Sequence, residues 1–338
     1  MRPLRFAALG IDHRHIFGMA QNLIDVGCTF AAWWTEGTPE PLEGFLKRFP
    51  EVPRVASRED ILADDTIDLI LVAAIPCDRA ALSIAAMQAG KDVMSDKPGC
   101  TTLDQLAAIR ATQAATGRIW SIDFSERFEV PAVTRAAELV RQGAIGKVVQ
   151  TVGLGPHRLN PQLRPDWFYR REAYGGIITD IASHQFDQFL FFTGSTDARV
   201  EWATVANHGN PATPGLQDFG EVVLRSDTGH GYIRVDWFTP HALPTWGDGR
   251  LTILGTDGYI ELRKYVDVAR EATGDHVYLV DRQGEHHFSV HGQVGYPFFG
   301  QFVRDCLDRT ETAMTQEHAF KAAELCVRAE MEAVRVEG

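Results

Sequence analysis

"FAALGIDHRHIFGM", residues 6–19, admits two readings, and the choice between them decides the fold of the first part of the chain. A short apolar strand ends at Gly10, and apolar residues then recur at helical spacing through Ile16, Ala20, Leu23 and Ile24. Strand, glycine turn and helix together hold a dinucleotide's diphosphate. The glycine makes the turn tight, and the helix N-terminus offers free N–H groups and a positive dipole. Yet Asp12, His13, Arg14 and His15 stand where a nucleotide loop carries more glycine. A His-x-His pair just after a first strand also suits a metal ion.

Spacing separates the two. Residues at i and i+2 share a face on a strand but not on a helix. His13 and His15 fall where the helical period begins, so they are badly placed to chelate one ion. That argues against the metal-dependent amidohydrolases, whose first barrel strand resembles this stretch. The stretch predicts a cofactor turn and no bound metal. Gly10 makes the bend, and Asp12, His13, Arg14 and His15 lie beside the diphosphate. The Asp12 carboxylate must point away from it or cap the helix.

Outward from this turn, strands and helices alternate to about residue 122. "TFAAWW", "DLILVAAIP", "KDVMSDKP" and "RIWSIDF" read as strands, with helical segments between them. "DLILVAAIP" is a continuous apolar run of strand length, as in a parallel strand covered on both faces. This predicts a Rossmann-like, doubly wound α/β domain over residues 1–122. From residue 123 one helix precedes a series of β-rich runs with short Gly or Asp turns. They predict an α+β domain over residues 123–338 with an open, mostly antiparallel or mixed sheet. The final helix, 316–336, is expected to pack back on the first domain.

Composition narrows the partners. With 33 basic and 45 acidic residues the net charge is −12. Nucleic acid and anionic membranes are thereby disfavoured, because both need a basic surface. The five cysteines are scattered without a Cys-x-x-Cys, which supports neither a disulfide framework nor a zinc knuckle. No signal-peptide core is evident and the longest apolar run is too short for a membrane helix. A cytoplasmic, soluble protein is expected.

Four further places carry chemistry. Glu36 closes the second strand, where an acid meets the adenosine ribose. No arginine stands beside it in sequence for a 2′-phosphate, which favours NAD over NADP. Lys97 ends a predicted parallel strand, at the edge where such sheets bind ligands, and Pro98 restricts its backbone. A lysine there can polarise a carbinol or carbonyl oxygen. In "GGIITDIASHQFDQFLFFTG", residues 175–194, the glycines allow close approach, and Asp180, His184 and Asp187 follow at i, i+4 and i+7. That spacing shares one helical face, with a carboxylate one turn from a histidine, as a general base needs. The loop "GPHRLNPQLRPDWFYRR" offers His157, Arg164, Trp167 and Tyr169 to a polyhydroxylated ligand.

Taken in order, these stretches resemble the Gfo/Idh/MocA oxidoreductases over most of the chain. "AAMQAGKDVMSDKPGCTT" is similar to that family's alanine-rich helix and Glu-Lys-Pro strand end, with Asp96 in place of Glu. "DFSERFEVPAVTRAAELVRQGAIGKV" resembles its domain-crossing segment, including the pair Arg127 and Phe128. Residues 175–194 resemble its Gly-Gly…Asp-x-Gly-x-His-x-x-Asp helix, with Ala182 replacing the glycine. "LTILGTDGYIEL" resembles its late strand pair. The family's Thr-Pro-Asn-x-x-His appears as Ile75-Pro76-Cys77-Asp78-Arg79-Ala80, without the asparagine or the histidine.

The resemblance implies NAD or NADP as cofactor, with Ile75 and Pro76 among its contacts. It implies hydride transfer at a hydroxyl or carbonyl carbon of a sugar, cyclitol or related polyol. By position Lys97, Asp180 and His184 are catalytic, Lys97 also contacts the cofactor, and Arg127, Asp180 and His184 join the substrate contacts. A homo-oligomer, dimer or tetramer, is implied as well. A hydrolase or lyase using NAD for transient oxidation, and a non-catalytic dinucleotide or sugar sensor, are the competing functions.

Overall fold

The computed structural model describes residues 2–336. The chain begins with β1 (Arg5–Leu9), α1 (Ile16–Asp25), β2 (Thr29–Trp34), α2 (Leu42–Arg48) and α3 (Arg58–Leu62). It continues through β3 (Leu69–Val72), α4 (Arg79–Gln88), β4 (Asp92–Asp96), α5 (Leu103–Thr116) and β5 (Trp120–Asp123). Next come α6 (Ser125–Phe128), α7 (Pro131–Arg141), β6 (Val148–Pro156) and α8 (Arg171–Tyr174). A π-helical turn, Ile178–Ala182, leads into α9 (Ser183–Thr193). Strands β7 (Arg199–Ala206), β8 (Phe219–Arg225), β9 (His230–Asp236) and β10 (Arg250–Gly255) follow. Then come β11 (Tyr259–Arg263), β12 (His276–Asp281) and β13 (Gly284–Ser289). The chain closes with α10 (Pro297–Asp308), α11 (Gln316–Glu332) and β14 (Val334–Val336).

Two compact units emerge. The first combines Met1–Asp123 with Leu163–Gly175 and Pro297–Ala323. Its parallel sheet has the order β2-β1-β3-β4-β5. The fully buried "LILV" of β3 lies at its centre, as an apolar run of strand length dictates. Helix α5 is bounded by its own sequence. Thr102 accepts a bond from the Gln105 N–H at the start, and Gly117 stops it in the left-handed conformation. Within this unit the C-terminal segment meets β5. The Trp120 N–H donates to Gln316 Oε1 at 2.9 Å, and the Trp120 ring stacks on Phe320 at 5.4 Å.

Gly10 is needed for two reasons at once. Its φ is +77°, and a Cβ there would lie 2.5 Å from the Cβ of Ala74, just past β3. Gly10→Ala is therefore expected to cost about 2–4 kcal/mol, from left-handed strain plus overpacking. The measurement is urea unfolding, where the midpoint should fall at an unchanged slope. An unchanged midpoint would mean that the turn relaxes away from Ala74.

The second unit combines Phe124–Gln162, Gly176–Tyr296 and Glu324–Gly338. Its nine-stranded sheet runs β13-β12-β11-β10-β6-β9-β8-β7-β14. The pairs β6–β9 and β7–β14 are parallel and the other neighbours antiparallel, so the sheet is mixed. Helix α7 covers β10 to β12 through Val133, Ala136, Ile253, Ile260 and Leu262. Helix α9 sits close on β6 because Gly153 and Gly155 lie under Gln185. A Cβ at Gly153 would come within 2.7 Å of the Gln185 side chain. All five cysteines are free thiols. Among the described residues no helix is long and apolar enough to cross a membrane.

Candidate active site

The centre of the first unit's carboxyl edge is Asp96, the last residue of β4. It is fully buried and three side chains converge on it. Arg79 Nη2 lies 2.9 Å from Oδ2, His13 Nδ1 2.8 Å from Oδ2, and His15 Nδ1 2.8 Å from Oδ1. Arg79, also fully buried, donates from Nε to the Ala74 carbonyl at 2.8 Å and from Nη1 to the Lys97 carbonyl. Burial pushes the Asp96 carboxyl up. Arg79, then His13 and His15, outweigh it and hold the group well below the usual carboxylate range. Burial brings His13 down to about 4 despite Asp96, so its imidazole is neutral at physiological pH.

This geometry corrects the spacing argument about the two histidines. Helix α1 begins only at Ile16, and residues 13–15 form a turn whose rings both reach one carboxylate. The His13 N–H donates to the Ala73 carbonyl and the Gly10 N–H to that of Trp34, tying the turn to β3 and β2. His15 is the N-cap of α1 and makes no side-chain capping bond. Arg14 pairs with Glu40. Burial raises the Asp12 carboxyl to about 6. Arg79 opposes that rise, while Asp78 and Glu36 reinforce it. Three acids thus influence the mouth of the turn.

Glu36 is exposed beyond β2. An arginine does reach that strand end, contrary to the local sequence. Arg54 donates from Nη2 to the carbonyls of Thr35 at 3.0 Å and Gly37 at 3.3 Å, and lies over the Trp33 ring. Ile75 precedes a short 3-10 turn, Pro76–Asp78. Lys97 follows β4, is 3% exposed, and is joined to Pro98 by a cis peptide.

In the second unit Asp180 lies within the π-helical turn and His184 in the first turn of α9, both buried. The sequence pattern assumed one regular helix. A π-turn here changes the face that each residue presents, and such insertions cluster at functional positions. Asp187 points to a different task, a bidentate pair with Arg127. Nε lies 2.6 Å from Oδ2 and Nη2 2.7 Å from Oδ1. The Arg127 guanidinium also lies over Phe128 at 4.4 Å and Phe191 at 4.6 Å. Gly176 allows a close approach to Glu330 of α11, where a Cβ would come within 2.1 Å of the carboxyl carbon. The Ile178 N–H donates to Glu330 and the Ile177 N–H to Gln217, so Glu330 and Gln217 anchor the start of this helix. Neither had a sequence signal.

The four loop residues divide between the units. His157, in the second, packs its ring at 4.4 Å from that of Trp246. Arg164, Trp167 and Tyr169 lie in the first, grouped around Phe168.

Residues 38–124 match the oxidoreductase family model with the NAD-binding Rossmann fold, and residues 133–261 the Gfo/Idh/MocA C-terminal domain. A crystal structure described as that of an oxidoreductase from Erwinia carotovora atroseptica SCRI1043 is 49% identical. It covers 98% of this chain and 99% of its own, with a TM-score of 0.95. The chain belongs to the Gfo/Idh/MocA oxidoreductase family. Its first unit is the family's NAD-binding Rossmann fold. Among curated family members, the oxidoreductase YdgJ of Escherichia coli is 30% identical over 43% of this chain and 42% of its own. The scyllo-inositol 2-dehydrogenase (NAD(+)) of Bacillus subtilis is 26% identical over 60% of this chain and 56% of its own. The chain therefore spans about half the length of the curated relatives it matches.

The donor set fits a dinucleotide. The order of the parallel sheet reverses between β1 and β3, which opens a crevice at their carboxyl ends. Gly10 and the start of α1 follow β1 at this end, Ile75 and Pro76 follow β3, and Glu36 follows β2. Asp12 is the opposing charge.

Proposed function

We propose that this protein transfers a hydride between a nicotinamide cofactor and a hydroxyl or carbonyl carbon of a sugar, cyclitol or related polyol. The observation that carries this reading is the set of three buried polar side chains at the family's motif positions. They are Lys97 after β4, Asp180 in the π-turn and His184 at the head of α9. The scyllo-inositol 2-dehydrogenase among its relatives supports the substrate class. When bound, the nicotinamide accepts or gives the hydride. His184 takes the hydroxyl proton, Lys97 polarises the oxygen, and Asp180 orients the site. Gly10, Asp12, His13, Arg14, His15, Glu36, Ile75 and Pro76 surround the cofactor. His157, Arg164, Trp167 and Tyr169 are the substrate contacts, and Arg127 acts on the site through Asp187.

NAD is the preferred cofactor, because Glu36 repels a 2′-phosphate while Arg54 is engaged by backbone carbonyls. A homo-oligomer in the cytoplasm, where free thiols persist, completes the reading. The test is titration with NAD and NADP, followed by a polyol and aldose panel read at the NADH absorbance. Tighter NAD binding and NADH formation on a polyol are expected. Substrate consumption without net NADH would point instead to transient oxidation, and binding without turnover to a sensor.

Asp12 supplies a separate prediction. Asp12→Asn removes a negative charge beside the diphosphate position and is expected to tighten NAD about tenfold, by calorimetric titration. An unchanged Kd would place this carboxylate away from the phosphates.

A further inference from the structure

We propose that His13, His15 and Asp96 form a binding site for one divalent transition-metal ion of the zinc class. One donor atom from each lies within 4.8 Å of the others. The two nitrogen–oxygen separations are 2.8 Å. Ligands held about 2.1 Å from a common ion in tetrahedral geometry stand roughly 3.4 Å apart, inside the 4.8 Å that spans one donor atom from each residue. The His13 contact has the distance of a hydrogen bond but not its alignment. His13 Nδ1 and Asp96 Oδ2 are both buried without such a bond among the described residues. His13 Nδ1 left in that state is costly and a cation satisfies it, while Asp96 Oδ2 already faces the Arg79 guanidinium at 2.9 Å.

The donor types select the ion. Two imidazoles and a carboxylate suit zinc, cobalt or nickel, whereas calcium and magnesium prefer all-oxygen sites. Three protein ligands leave a further coordination position open. The histidine side chains keep 22% and 31% of their surface exposed, which gives the ion a path from solvent. Arg79 holds the carboxylate through Oδ2, the oxygen that also faces His13, which leaves Oδ1 beside His15. Its charge and that of Lys97 oppose a cation, and the Asp96 carboxylate is the acid that faces the site. Nothing in this proposal depends on which nucleotide binds.

The test uses the full-length protein, stripped with a chelator and titrated with zinc chloride by calorimetry. Cobalt loading is followed in parallel by its visible absorption. One tight equivalent of zinc is expected, with a cobalt spectrum of nitrogen and oxygen ligation. The double variant His13→Ala/His15→Ala should lose that equivalent, and Asp96→Asn should weaken it at least tenfold. His287→Ala, in the separate pair where His276 and His287 stand 3.0 Å apart, should retain it. Zinc should also protect His13 and His15 of the unmutated protein from histidine-directed acylation, a readout that needs no variant to fold. The proposal is overturned if the stripped protein takes up no equivalent, if the double variant keeps it, or if zinc leaves both histidines open to acylation.

Discussion

Lys97→Met is expected to lower kcat by about 10²–10⁴-fold on any polyol that the unmutated protein oxidises, the range that a positioned proton-transfer or polarising group supplies. Methionine keeps the length of the side chain and removes its charge. Methionine matches the volume of the buried Lys97 side chain, and urea unfolding checks that the variant keeps its fold. His184→Asn should cause a loss of the same order by removing the proton acceptor while keeping a polar group of similar reach. In both variants the NAD dissociation constant should stay within a few-fold, so that the defect lies in turnover. Single-turnover measurement of NADH formation, beside calorimetric NAD titration, separates the two effects. Full turnover in either variant removes that residue from the chemistry. Loss of NAD binding alone would make Lys97 a cofactor contact only.

Local pattern carried much of this fold. The strands of the first unit sit where apolar runs stop at turn residues, and β3 is buried as its composition requires. Lys97 was legible because the end of a parallel strand is a place with a chemical meaning. The stretch at 175–194 was legible as a helix start with titratable groups, but its π-turn was not. One extra residue per turn leaves no mark in apolar periodicity, and only the anchors at Gln217 and Glu330 reveal what holds it. Long-range convergence was equally silent. His13, His15, Arg79 and Asp96 come from three separate places in the chain, and a spacing rule for i and i+2 could not anticipate their meeting. Arg54 reaches the end of β2 from well downstream, so a search beside Glu36 missed it. Leu163–Gly175 joins the first unit despite lying within the second domain's sequence, because α8 packs on the Pro76–Asp78 turn.

Arg127→Met is expected to destabilise the protein by about 3–5 kcal/mol, the largest stability effect of any single change considered for the second unit. Asp187 is fully buried and its two oxygens are both taken by Arg127. Removing the guanidinium leaves the buried Asp187 carboxylate without its bidentate partner. The cost comes from the orphaned charge more than from the lost attraction. The double variant Arg127→Met/Asp187→Leu should therefore recover most of the loss, since well-packed apolar pairs replace buried ion pairs with little penalty. Denaturant unfolding of the unmutated protein, Arg127→Met, Asp187→Leu and the double variant forms the cycle that measures it. If Arg127 also contacts substrate directly, the double variant would regain stability but keep a raised KM. If it acts only through Asp187, both stability and KM should return toward those of the unmutated protein. A double variant as unstable as Arg127→Met would show instead that the guanidinium's stacking on the two rings, rather than its pairing, holds α6 against α9.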